Sequence, residues 1–435
     1  MATSAPPNTS ANTSANLAAS PLPLQGRLAV RVFLCFALGY LLSYALRAVN
    51  AVIAPALMAE LQLSNADLGL LSSAYFLAFG SLQLPLGIWL DKYGARRTES
   101  ALLLVAAAGA AMFAMSHSLA GLWLGRALIG VGVSACLMAS LKAYRLWFSP
   151  RQQSQLVSWM LVAGTSGALL ATVPVNAALP WLGWRGIFWV TCGFLLVAAA
   201  ALFFLLRPIE QARAQPVTSP GNTHDHGYRS IFSDPYFRRM GMLGLVVQGI
   251  FVALQTLWAG PWMTVVLGMS KNQAAQTLFV LNFVLLLGYL ALGWWAPRFV
   301  ASPGKPGWAV PKVVSIGLAG MILTQLMMLA SQAPWTWLLW PLMALFYTVL
   351  TLVQTHVCLT FPVTLAGRVS TAYNLLMFVG AFITQWGIGV AIDLLRAQGW
   401  SEAAAIRGSF ALCVALQIMV YLVFVSSKVK ARAFH

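Results

Sequence analysis

Residues 87–97 read Gly87-Ile88-Trp89-Leu90-Asp91-Lys92-Tyr93-Gly94-Ala95-Arg96-Arg97, a charged turn punctuated by glycine between two long apolar runs. Asp91, Lys92, Arg96 and Arg97 crowd into it, although only 8% of the chain is charged. Away from this turn the sequence is overwhelmingly apolar, with 60% hydrophobic residues and a mean hydropathy of +0.79. Soluble domains carry about 25% charged residues. Apolar runs of about 20 residues, enough to cross a bilayer as a helix, recur along the chain. They are continuous rather than alternating, which selects helices over a barrel.

Twelve such spans are predicted, at 30–57, 67–89, 100–117, 119–142, 154–178, 184–206, 240–267, 273–296, 310–330, 335–361, 368–394 and 404–425. The polar, proline-bearing segment 207–239 divides them six and six, and within it 230–240 reads as an amphipathic helix on the membrane surface. With the N-terminus placed in the cytoplasm, twenty of the 26 Lys and Arg fall on that side. Only Arg185, Lys271, Arg396 and Arg407 fall on the other, leaving Arg47 and Arg126 inside the membrane. That segregation follows the positive-inside rule and puts both termini in the cytoplasm. It also accounts for the net charge of +17 without nucleic acid.

The expected fold is an all-α polytopic membrane protein of two pseudo-symmetric six-helix bundles. A disordered tail (1–28) precedes the first bundle (29–206). The central loop (207–239), the second bundle (240–426) and a short tail (427–435) follow. Gly293-Trp294-Trp295-Ala296-Pro297-Arg298 faintly repeats 87–92, as a duplicated half would. The uncharged first 26 residues lack the basic start of a signal peptide. Five cysteines, all in apolar runs, offer no disulfide framework. The short run His224-Asp225-His226 is a poor metal site, so no metal or cofactor is expected.

The 87–97 pattern, Gly-x3-Asp-Lys-x-Gly-x-Arg-Arg, resembles the loop between helices 2 and 3 of the major facilitator superfamily of secondary transporters. In that family the loop latches the two halves together in the outward-open state. The resemblance implies that Gly87 allows close helix approach and Asp91 accepts hydrogen bonds across the seam. Gly94 would turn the chain, and Arg96 and Arg97 would anchor at the inner headgroups. Ala95 delays the first basic residue by one place, a departure from the family pattern. Arg126-Ala127-Leu128-Ile129-Gly130-Val131-Gly132 resembles a second family motif. Arg126 reads equally as a tie between spans 4 and 1 or as a part of proton coupling.

Within span 1, Tyr40, Tyr44, Arg47 and Asn50 share a helical face, with Arg47 near mid-membrane. No acid occurs in the middle of any span to pair with it. An unpaired guanidinium beside phenols suits a carboxylate or phosphate. The run Tyr44-x2-Arg47-x2-Asn50-x4-Pro55 resembles helix 1 of anion-transporting branches of the superfamily, organophosphate and anion:cation symporters, in which this Arg binds substrate. Span 7 adds Gln248, Gln255 and Trp258 on one face but no second charge, which favours a monoanion over a phosphate monoester. Gly260-Pro261 is expected to break span 7 as a gate. Gln354 faces inward from span 10, and Asn282, Asn374 and Gln385 are candidates for hydrogen bonds between helices.

These residues point to a monomeric carrier of a small organic anion in a bacterial inner membrane, moved by alternating access and coupled to protons. Candidate coupling residues are Arg126, His356 and Asp393. A drug or metabolite exporter of the same fold is the alternative, although span 5 lacks the antiporter signature, having only Gly164-Thr165-Ser166-Gly167 and Pro174. An enzyme or a sensor would require clustered catalytic groups or a signalling domain, and neither is present in the sequence.

Overall fold

The computed structural model describes residues 24–212, 228–299, 308–331, 333–361 and 365–427. The expected N-terminal tail up to residue 23 and His224-Asp225-His226 lie outside the described residues. Every described regular element is a helix. Span 1 comprises Gly26–Ala48 and Asn50–Leu61, span 2 comprises Asn65–Ser81 and Gln83–Leu90, and span 3 is Lys92–Met115. Span 4 is Leu119–Trp147, span 5 starts as Pro150–Leu170 and continues over 173–182 to a break at Gly183 (φ 61°), span 6 covers 184–212, and span 7 is Pro235–Val266. Spans 8 to 12 are Lys271–Phe299, Val310–Ala330, Trp335–Leu359, Ala366–Ala397 and Glu402–Ser426.

Ten of these are long and apolar enough to cross a bilayer, or eleven when the bent span 2 is taken as one. Span 5 is the twelfth, with a shorter apolar part, Gln155–Leu170. The even count places both described ends on one face, called here the terminal face.

Local chemistry explains the breaks. Ser64 and Asp67 form a reciprocal cap at the start of span 2. Span 2 then bends by 45° between Ser81 and Gln83, where Pro85 has no N–H to offer the carbonyl four residues back. Gly94 takes φ 79° to turn the chain from span 2 to span 3. In span 1, Pro55 likewise leaves the Ala51 carbonyl free, and Gly260 of span 7 packs against that oxygen.

Two hydrophobic cores result. One is built almost wholly from spans 1 to 6, with Phe378 and Ala381 intruding from span 11. The other is built from spans 7 to 12, with Ala51, Ala54 and Leu68 intruding from the first half. Large apolar side chains left outside both cores, among them Leu104, Trp159, Phe204, Leu323 and Leu412, cover the perimeter. A bilayer would receive them.

The region after the central segment differs from expectation. Rather than a surface helix over 230–240, a short helix Tyr228–Ser233 ends at Asp234, which caps Pro235–Met242 at the start of span 7. Ile231, Phe237 and Met240 are buried in the second core, so burial overrides the amphipathic pattern.

The halves meet mainly along spans 2 and 11. Asp393 Oδ2 accepts from Ala66 N–H at 2.7 Å, and Asp393 Oδ1 accepts from Asn65 Nδ2 at 3.0 Å and Asn65 N–H at 3.3 Å. Gly69 packs on the Gln385 backbone, and Phe79 meets Phe378 with ring centroids 4.4 Å apart. Asn176 donates to Asn272 at 2.7 Å on the same opposite face. These bonds tie the two halves together at the face opposite the termini.

Candidate substrate site

Arg47 stands where the two halves converge. Its guanidinium carbon lies 4.7 Å from the Tyr44 ring centroid, 5.7 Å from Tyr75, 5.4 Å from Phe79 and 5.4 Å from Phe378. Phe378 belongs to span 11, so the cage draws on both halves. Tyr289 and Tyr347, from spans 8 and 10, lie within electrostatic reach of the same charge. The side chain is partly exposed, yet its Nε is buried without a hydrogen-bond partner. Among the described residues no carboxylate pairs with it. Cation–π contact offsets part of the lost hydration, and a bound anion would supply the rest.

Span 5 seats the phenols. A Cβ on Gly164 would stand 2.6 Å from the Tyr40 ring and 3.2 Å from the Tyr44 ring. Only glycine leaves that room. Tyr40 then donates to Tyr44 at 3.3 Å. Tyr44 is partly exposed beside Arg47, whereas Tyr40 is buried behind it.

The remaining predicted ligands sort into two groups. Gln255 donates to Asn282 at 2.8 Å, and Gln354 donates to Asn374 at 3.0 Å and Ser370 at 3.1 Å. Both glutamines remain partly exposed, so these polar pairs of the second half can face a solute. Asn50, Gln248 and Trp258 are instead taken up in packing. Asn50 donates to Ser72 at 2.7 Å, Gln248 to the Leu350 carbonyl at 2.8 Å, and Trp258 to the Gln385 carbonyl at 3.0 Å. All three are buried. Asn282, Asn374 and Gln385 do make the expected bonds between helices.

Span 7 does not break at Gly260-Pro261. It continues as a helix with three wide turns, Leu243–Gln248, Leu254–Trp258 and Trp262–Val266. Ala259 N–H donates to the Leu254 carbonyl, and Leu267 N–H to the Trp262 carbonyl at 3.1 Å, each five residues back.

Arg126 makes the expected tie to span 1. It is 1% exposed, its Nη1 donates to the Leu46 carbonyl at 2.8 Å, and it lies over the Phe113 and Phe188 rings. Asp393, a coupling candidate, caps span 2 across the seam. His356 meets the Tyr236 hydroxyl at 2.7 Å near the terminal face, away from Arg47.

The signature turn is stapled to its own half. Arg96, expected at the headgroups, is 3% exposed and pairs with Glu210 at 2.5 Å while donating to the Phe203 carbonyl at 2.9 Å. Arg97 is exposed, as expected of an anchor. A Cβ on Gly87 would meet nothing within 4 Å, so the expected close approach is absent in this state. The side chain of Asp91 lies outside the described part.

The sequence profile of the Major Facilitator Superfamily matches residues 36–385. The chain belongs to that superfamily. It is similar to a hexuronate transporter of Escherichia coli (strain K12), 29% identical over 175 residues, which are 40% of each chain. It is also similar to a galacturonate transporter of Dickeya chrysanthemi, 28% identical over 177 residues, 40% of this chain and 51% of that one. The match thus spans about half or less of the curated relatives' length. A crystal structure of a bacterial homologue of the human lysosomal transporter Spinster superposes with TM-score 0.71 at 18% identity, covering 92% of this chain and 97% of that one. Fold and charge pattern agree with that membership: the chain is a multi-pass helical membrane protein of a transporter superfamily.

Proposed function

We propose that the protein is a proton-coupled carrier for a hydroxylated organic monoanion of the sugar-acid class. The observation that carries this reading is Arg47, an arginine without a carboxylate partner among the described residues, ringed by aromatic side chains from both halves. A single positive charge suits one carboxylate, and partly exposed phenol and amide groups at Tyr44, Tyr289, Gln255 and Gln354 suit hydroxyls. Relatives named for hexuronate and galacturonate transport favour the same chemistry.

In the proposed cycle the two bundles rock about Arg47, and anion binding neutralises its charge and so lowers the cost of occlusion. The cross-half bonds at the opposite face and the disengaged Gly87 favour a state open toward the terminal face. By the charge rule that face is cytoplasmic, in a bacterial inner membrane, with the protein acting as a monomer.

The test is uptake of labelled galacturonate into proteoliposomes, beside thermal-shift measurements with sugar acids, their neutral parent sugars and hydrophobic cations. Stabilisation by sugar acids that disappears in Arg47→Gln is expected. Stabilisation by hydrophobic cations alone, unchanged in Arg47→Gln, would replace the reading with that of an exporter.

A further inference from the structure

Nearly every acidic side chain among the described residues has a visible structural task. Glu60 holds Trp184 and Arg185, Asp67 completes the cap with Ser64, and Glu210 pairs with Arg96. Asp234 caps span 7, Asp393 caps span 2, and Glu402 sits exposed in the first turn of span 12, where the helix dipole favours it. Glu99 has none of these. It is 0% exposed, and no N–H or O–H group donates to either of its carboxyl oxygens.

Its surroundings are weakly polar and uncharged. From span 1 come Gly39 and Cys35, and from span 4 Cys136 and Tyr144, whose hydroxyl is also without a partner. Arg31 acts on Cys35 and Arg47 acts on Cys136, but neither arginine pairs with Glu99. An ionised carboxylate sealed in this place would lose its hydration and gain only a weak hydrogen bond from the Cys136 thiol in return. The pocket suits the neutral acid, whose proton can leave only when water enters.

Span 1 is the lid on that pocket. A Cβ on Gly39 would stand 2.7 Å from Glu99 Oε1 and 3.6 Å from Cys136 Sγ, so glycine lets span 1 seat directly on the carboxyl. The same helix carries Arg47 eight residues further on, about 12 Å along the axis at 1.5 Å per residue. Cys136 lies within electrostatic reach of both Glu99 and Arg47. The proton and the anion would therefore act on one rigid segment, Gly26–Ala48.

We propose that Glu99 is the proton-binding site of this carrier, loaded while span 1 is seated on it and emptied when span 1 lifts. On emptying, the carboxyl O–H bond breaks, the electron pair stays on the carboxylate, and a water molecule takes the proton. Reseating requires the reverse transfer, so each cycle that moves Arg47 also moves a proton. This assignment rests on the carrier reading above.

Glu99→Gln preserves shape and fixes the neutral state, so the test uses it in the full-length protein in lipid. Infrared spectra of the wild type at neutral pH should show the carbonyl band of a protonated carboxylic acid that Glu99→Gln lacks. This readout needs no substrate. In proteoliposomes, Glu99→Gln should keep galacturonate–galacturonate exchange but lose pH-gradient-driven accumulation. Identical infrared spectra, or unchanged uphill accumulation in Glu99→Gln, would overturn the proposal. If that variant does not fold, Glu99→Asp serves: a displaced pH profile of uptake supports the site and an unmoved profile overturns it. A wild type that carries no sugar acid, but shows the Glu99 band, would refute the carrier reading while leaving the buried proton in place.

Discussion

Arg47 and Arg126 are the two arginines the charge pattern leaves inside the membrane, and the structure treats them oppositely. Arg126 is sealed within the first bundle, over rings from spans 3 and 6 and bonded to the Leu46 carbonyl. Arg47, the very next residue after that carbonyl, faces the seam and takes one of its rings from span 11. A charge bonded to a carbonyl of its own bundle ties neighbouring helices of that bundle together. A charge whose cage is shared between two bundles can report their separation, and it has capacity left for a ligand.

The largest expected effect follows directly. Arg47→Gln should weaken sugar-acid binding by about 100-fold, the loss typical of removing a charge-assisted partner. Arg126→Gln should leave the affinity within about threefold, since it touches no ligand; titration calorimetry on both variants checks the pair. Equal losses would dissolve the distinction.

Stability should invert the order. Arg126→Gln leaves the Leu46 carbonyl without its charged donor and should destabilise the protein by about 1–3 kcal/mol. Arg47→Gln, relieved of an unpaired partly buried charge, should melt no lower than wild type in the absence of ligand.

The rings offer a finer cut. Phe378→Leu removes the cross-seam cation–π contact along with the ring contacts to Phe76 and Phe79, and should cost about 1 kcal/mol of ligand affinity. Phe113→Leu, beneath Arg126, should lower the melting temperature and spare binding.

A third arginine calibrates the small end. Arg185 pairs with Glu60, whose side chain is 44% exposed at the opposite face. The Arg185 hydrogen bond holds the Glu60 carboxyl below its usual range, assisted by Trp184. Its folded value being depressed, the pair contributes above the unfolded value near 4.3 and loses its contribution as pH falls through the folded value. Solvent screening keeps this below about 1 kcal/mol. Wild type and Glu60→Gln should differ slightly in melting temperature at pH 7 and converge in acid.

The fold was legible because lipid imposes simple rules: run length, charge segregation and one charged turn specify the twelve spans. Arg47 was legible for the same reason, as a charge in the wrong solvent. The rest of the site was not. Gln248, Gln255 and Trp258 share a face only if span 7 keeps 3.6 residues per turn, and its wide turns rotate them apart. Gln255 stays at the opening while the other two turn into packing. Glu99 lies five positions beyond Gly94, which in the sequence puts it at the end of a span. Helix has already resumed there, and Gly39, three spans' worth of sequence away from Cys136, closes over it. In a chain this apolar, periodicity does not separate lipid-facing from bundle-facing positions.

The Asp393 junction has an evolutionary consequence. Two of its three donors are peptide groups at Asn65 and Ala66, which substitution of those side chains does not delete unless proline enters. The acceptor is one carboxylate. The closure is therefore genetically lopsided: the first half supplies its share for almost any sequence, and the second half stakes its share on a single codon. Variants that retune how readily this face opens should accumulate at Asp393 and around it, while positions 65 and 66 drift.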